Sequence, residues 1–256
     1  MPARSGTQVW QADAATTRTE EEVVFATDPP YFDNIGYADL SDYFYVWLRQ
    51  SLRLVHPNLF STMQVPKADE MIASPHRHGG REGARKFFMQ QMGAALAGFA
   101  QTADSDYPSS VFYAYKQTET DHEGTVSTGW TSFLQAAVDA GFAITGTWPI
   151  RTELANRPVA KGANALASSV ALACRRRNRD APIATRGQFL TQLRRELPAA
   201  VETLRTNTIA PVDLAQAAVG QGMRVFTRKT PFLVMRIRLF TVRLSAHLIP
   251  AASPVF

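Results

Sequence analysis

Only one cysteine, Cys174, stands in the 256 residues. That excludes an internal disulfide framework and any thiolate-built zinc cluster, and it suits a reducing compartment. No apolar stretch follows Arg4 as a secretory leader would require. The most apolar segment, residues 231 to 250, is interrupted by Arg236, Arg238, Arg243 and His247, which argues against a membrane span. These absences lead to the expectation of a cytoplasmic protein with no membrane partner.

Acidic side chains are the minority charge, 22 against 27 Lys and Arg, giving a formal net charge of +5 and a pI near 9.6. A basic balance favours a polyanionic partner without specifying one. At 45% hydrophobic residues the chain can bury a core, most simply as one domain with or without an appendage.

The run "VVFAT", residues 23 to 27, is short, β-branched and apolar without alternation, the pattern of a strand buried on both faces in a parallel sheet. It ends at Asp28-Pro29-Pro30-Tyr31, where a strand must stop. From Asp39 onward Leu40, Tyr43, Phe44, Trp47, Leu48 and Val55 recur at helical spacing, with Asp39 or Ser41 available as an N-cap. A Pro-, Gly- and cation-rich loop follows, then a helix carrying Phe88, Met92, Ala95, Leu96 and Phe99 on one face.

Residues 109 to 115 read as a strand, and Trp130, Phe133, Leu134, Ala137 and Val138 as an amphipathic helix stopped by Gly141. Residues 142 to 148 and 168 to 174 are two further strands, and residues 7 to 13 another that ends at Asp13. A helical pattern over 186 to 206 should be kinked or divided by Pro198, and Pro211 opens a last helix. The order predicts an α/β domain with a mainly parallel sheet over residues 1 to 228, helical over 185 to 228. Residues 229 to 256 form a tail of unassigned role.

Asp28-Pro29-Pro30-Tyr31 would arise by chance in a chain of this length only roughly once in a thousand cases, and it sits at a strand's C-terminal end, where open α/β sheets bind ligands. Its chemistry suits methyl transfer to an exocyclic amine of a nucleobase. The amine lone pair is delocalised into the ring, so an enzyme must aim it at the donor. The Asp28 carboxylate and Pro29 carbonyl offer two adjacent acceptors for the two N–H hydrogens, and Pro30 stiffens the loop. The ring of Tyr31 or Phe32 offers a face on which a flipped base can stack.

Asp33, Asn34 and Tyr37 follow closely enough to line a base pocket; they serve equally well as turn formers and packing under the helix. His76, Arg77, His78 and Arg81, with Arg85 and Lys86, are placed to meet phosphates, or to form a solvated basic loop. Glu153, Asn156, Arg157, Lys161 and Asn164 lie in a long connection between two strands that overhangs the same sheet edge as Asp28, either seating base or DNA or having no ligand role. No third ligand completes a metal site with His76 and His78.

"DPPYFDNIGYADLSDYFYVWLR" resembles the amino-group DNA methyltransferases, and most closely the large adenine-specific DNA methylases that carry a zinc-ribbon insertion. "HRHGGREGARKFF", "RTELANRPVAKGANALASSVALACR" and "DLAQAAVGQGMRVFTR" are similar to the same family, so the likeness covers roughly residues 7 to 228. The resemblance implies a partial Rossmann-like methyltransferase fold whose strands are the third to seventh of its sheet, the last two an antiparallel pair. It implies S-adenosylmethionine as cofactor, DNA as partner, adenine N6 as acceptor, and catalytic roles for Asp28, Pro29, Pro30 and Tyr31. Asp13 then falls where such enzymes contact the cofactor's adenine ring.

The chain departs from the family in having no glycine-rich turn after an early strand and no acidic residue after a second one. It therefore reads as a catalytic portion whose cofactor-binding half is supplied by another chain or an upstream segment. Two alternatives stand beside it: a nonenzymatic subunit or remnant that binds DNA or a partner, and a methyltransferase acting on RNA or a side-chain amide.

Overall fold

The computed structural model describes residues 11 to 32, 35 to 113, 128 to 151, 168 to 178, 180 to 206, 211 to 228 and 230 to 231. Their elements run β1 (Ala26–Thr27), α1 (Tyr37–Leu52), α2 (Arg81–Thr102), β2 (Ser109–Tyr113), α3 (Thr128–Asp139), β3 (Phe142–Arg151), β4 (Ser168–Arg176), β5 (Ile183–Ala184), α4 (Arg186–Thr206), α5 (Pro211–Thr227) and β6 (Thr230–Pro231). The architecture is mixed α/β.

The main sheet has four strands in the order β1-β2-β4-β3. β1 is parallel to β2, while β4 is antiparallel to both β2 and β3. The sheet is thus mixed, and the expectation of a mainly parallel one is corrected. The last two of these strands do form the expected antiparallel pair, with β4 inserted between β2 and β3. β5 and β6 form a separate parallel pair, so two residues of the tail, Thr230 and Pro231, are tied to β5.

Alternate residues of the central strands, Val111 and Tyr113 on β2 and Val170, Leu172 and Cys174 on β4, join one buried cluster with Phe88, Met92, Trp130 and Phe133. The helical spacing read for α2 and α3 accounts for this: Phe88, Met92, Ala95 and Leu96 are buried along α2, and Trp130, Phe133, Leu134, Ala137 and Val138 along α3. Each large side chain contributes about 1.5–3 kcal/mol on burial. Gly141, at φ 94°, takes the left-handed turn that ends α3 and releases the chain into β3. α4 runs through Pro198 without division.

Residues 23 to 27 behave differently from a strand covered on both faces. Val23, Phe25 and Thr27 are half-buried, whereas Val24 is 53% exposed and Ala26 is also open. The apolar sequence fitted two-sided burial, but among the described residues β1 is an edge strand with only one neighbour. Residues 11 to 13 are not strand, and residues 7 to 10 of that expectation lie outside the described residues.

Candidate active site

Two parallel strand ends meet where the motif begins. Thr27 pairs with Val111, and the chain leaves β1 directly into Asp28, close to the end of β2 at Tyr113. Tyr113 holds the loop: its hydroxyl accepts the Phe32 N–H at 3.2 Å, while the Phe32 carbonyl accepts the Ala73 N–H at 2.7 Å. The Tyr113 ring lies 4.3 Å from that of Phe133, and the Tyr31 ring meets it edge-on at 5.7 Å. The loop is therefore fastened to the core at Phe32, immediately after Tyr31.

Asp28 is exposed, and its Oδ1 accepts the Tyr31 hydroxyl at 3.1 Å. Burial first, then the Asp28 charge and that hydrogen bond, push the Tyr31 phenol from its ordinary 10.0 up to about 12. The Tyr37 phenol is also raised, by burial and then by Asp28, and it bonds the backbone of Tyr31. Both phenols stay protonated at neutral pH, and that of Tyr31 donates to the carboxylate. Among the described residues nothing donates to the Pro29 carbonyl. Asp28 Oδ2 and this carbonyl are thus two acceptors on adjacent residues of a stiff loop, beside a half-buried tyrosine ring.

The base-pocket residues divide. Tyr37 joins Asp28 and Tyr31, as just described. Phe32 is taken up by packing, its ring edge-on to Phe88 at 4.9 Å and its Cβ so near Gly129 that a Cβ there would approach to 2.8 Å. Of the two rings offered for stacking, the one beside Asp28 is Tyr31. Asp33 and Asn34 lie outside the described residues, as do Asn156, Arg157, Lys161 and Asn164.

The basic loop also divides. His76 and Arg81 are exposed. Arg77 is turned inward, its Nη2 donating to Asp39 at 2.6 Å and its Nη1 to Glu70. Glu70 in turn accepts the Ala38 N–H at 2.9 Å, capping α1 from across the loop in place of the expected Asp39 or Ser41; the residue before the helix is Gly36. His78 stacks on Phe87 at 3.8 Å and its Nε2 is buried without a partner. Arg77 and His78 therefore tie the loop to α1 and α2 through contacts within the protein. Among the described residues no cluster of His, Cys, Asp or Glu is disposed to hold a metal.

Asp13 is likewise engaged elsewhere. Its Oδ1 accepts the Ala15 N–H at 2.9 Å and its Oδ2 the Thr16 hydroxyl at 3.0 Å, so it caps a turn over residues 14 to 16. Arg175 and Arg177 spend donors on backbone carbonyls of Asp106 and Val138, tethering the end of β4. Cys174 is 1% exposed, and burial pushes its thiol from 9.0 up to about 12, in keeping with inert core.

Sequence reasoning missed Tyr113, which holds the motif; a helix-capping role is among the readings of Glu70, and Glu70 does cap α1. The only available signal was a tyrosine at a strand end, one of many such residues. No protein-family model matches the chain, and neither the curated proteins nor the solved structures contain a match to it.

Proposed function

We propose that this chain is the catalytic portion of an S-adenosylmethionine-dependent DNA methyltransferase, acting on the exocyclic amine of a flipped base, adenine N6 by preference. The observation that carries the reading is the Tyr31 hydroxyl held on Asp28 Oδ1 at the end of two parallel strands, next to Pro29, whose carbonyl accepts no hydrogen bond among the described residues. An amine whose two hydrogens are accepted by the Asp28 carboxylate and that carbonyl has its lone pair directed out of the base plane toward a methyl donor. Tyr31 supplies the stacking face, and Tyr37 closes the site from the start of α1. The adenine preference rests on the sequence resemblance alone.

The residues of this reading bind and orient the acceptor. S-adenosylmethionine supplies the electrophilic methyl group. Among the described residues near Asp28 there is no glycine-rich backbone cradle, and Asp13 caps its own turn. The cofactor therefore fits this chain only together with a segment that contributes such a cradle. The open face of β1 at Val24 and Ala26 favours a second reading in which the chain is the DNA-binding subunit of a split enzyme.

The test is transfer of a labelled methyl group from S-adenosylmethionine to adenine-containing duplex DNA. Incorporation at adenine N6 that falls on the order of a hundredfold in Asp28→Ala supports the proposal. Undiminished incorporation by that variant refutes the role of Asp28. No incorporation, with Asp28-dependent binding of an unpaired adenine retained, assigns the chain to a split enzyme.

A further inference from the structure

We propose that α1 is a self-association surface, on which a second copy of this chain docks its own α1. The inference does not depend on the chemistry at Asp28.

The helix is turned the opposite way from an ordinary amphipathic surface helix. Its half-buried or buried positions are Ala38, Asp42, Tyr45, Arg49 and Leu52, which share one face at three- and four-residue steps. That face meets the loop after the helix. Asp42 pairs with Lys67 at 2.6 Å and accepts the Val65 N–H at 2.9 Å, the Tyr45 hydroxyl bonds the Thr62 carbonyl at 3.0 Å, and Arg49 Nε donates to the same carbonyl at 3.0 Å. The charged side chains of Asp42 and Arg49 are consumed inward. The opposite stripe, Leu40, Tyr43, Phe44, Trp47 and Leu48, stands 46 to 70% exposed. Among the described residues the helix packs extensively on no other helix or strand.

Such a stripe lies at the upper end of what isolated soluble chains leave open, and patches of that size commonly mark interaction sites. With aromatic side chains of about 150–250 Å² each, these exposures uncover roughly 600 Å² per copy. Two copies would bury about 1,200 Å², the lower bound of a specific interface. Leu54 and Val55, 89% and 65% exposed just beyond the helix, extend the surface. The composition, rich in Tyr, Phe and Trp and free of charge, is that of an interface centre. A twofold axis across it brings no like charges together, and twofold dimers are the commonest assembly. A lipid surface fits less well: it requires a cationic face at the headgroups, whereas the polar face of α1 is spent on residues 62 to 67.

The experiment is sedimentation velocity on the full chain from about 1 to 100 µM, where an interface of this size associates. The wild type should dimerise. Trp47→Asp and Phe44→Asp, at exposed positions, should weaken association at least about thirtyfold with unchanged circular dichroism. Val24→Asp, on the open face of β1, should dimerise as the wild type does. Trp47→Ala covers the case in which aspartate unfolds α1, and should weaken association in the same direction. A wild type that stays monomeric, helix variants that still dimerise, or a Val24→Asp that alone dissociates would each overturn the proposal. So would a monomeric wild type that floats with vesicles of phosphatidylcholine and phosphatidylserine.

Discussion

The Tyr31 hydroxyl donates to Asp28 Oδ1 at 3.1 Å, leaving Oδ2 without a hydrogen-bond partner among the described residues. The bond restrains the exposed carboxylate while leaving acceptor capacity on it. Tyr31→Phe keeps the ring and loses this restraint; Tyr31→Ala loses the stacking face as well. DNA carrying an unpaired adenine should lose about 1–3 kcal/mol of binding with alanine and clearly less with phenylalanine, as read by fluorescence anisotropy.

Alkaline pH should destabilise the fold over a defined window. The Tyr31 phenol rises from 10.0 to about 12 and the Cys174 thiol from 9.0 to about 12 in the folded chain. The folded state then holds more protons than the unfolded one between those values, so its stability falls as pH increases through them and is unaffected by these groups below about pH 9. Thermal midpoints measured from pH 8 to 12 should decline chiefly above 9, and the decline above 10 should be shallower in Tyr31→Phe. The Cys174 thiol should react with a disulfide reagent only after unfolding.

Tyr113→Phe removes the hydroxyl that accepts the Phe32 N–H while leaving the ring against Phe133. A half-buried donor left without its partner costs about 1–3 kcal/mol. Urea unfolding should show that loss, and the site should weaken in acceptor binding although Tyr113 is not itself proposed to touch the base.

Arg77 and Arg81 should separate in their effects. Arg77 links Glu70 and Asp39 and so supports the cap of α1, whereas Arg81 is exposed at the start of α2. Arg77→Ala should lower stability by about 1–2 kcal/mol with the salt dependence of DNA binding unchanged. Arg81→Ala should leave stability unchanged and, if the exposed cation contacts a phosphate, reduce the salt slope by about one.

Local pattern revealed α3, because every apolar position from Trp130 to Val138 is buried, and it revealed the chain break at Asp28; the antiparallel pair came from the family resemblance, not from local pattern. Periodicity also revealed that α1 is amphipathic. It did not reveal which side faces the body, because that is decided by Lys67, Thr62 and Glu70, residues across a loop whose partners carry no sequence spacing signal. The two-sided burial expected of residues 23 to 27 failed for the same reason: β-branched sequence records tolerance for covering, not the presence of a neighbour. Asp13 shows the converse, a carboxylate read as a ligand that its own next residues already satisfy. The position of β4 between β2 and β3 depends on long-range pairing that no local window contains.

The claim that the motif receives a flipped base is tested most directly by comparing two duplexes that differ only in whether one adenine is paired or mismatched. A mismatched base costs less to extrude, so a pocket for it must bind that duplex more tightly. The account predicts a preference of roughly tenfold or more, about 1.4 kcal/mol or more of the unstacking cost, that disappears in Asp28→Ala. Equal affinity for the two duplexes, or a preference that survives the loss of Asp28, would contradict it.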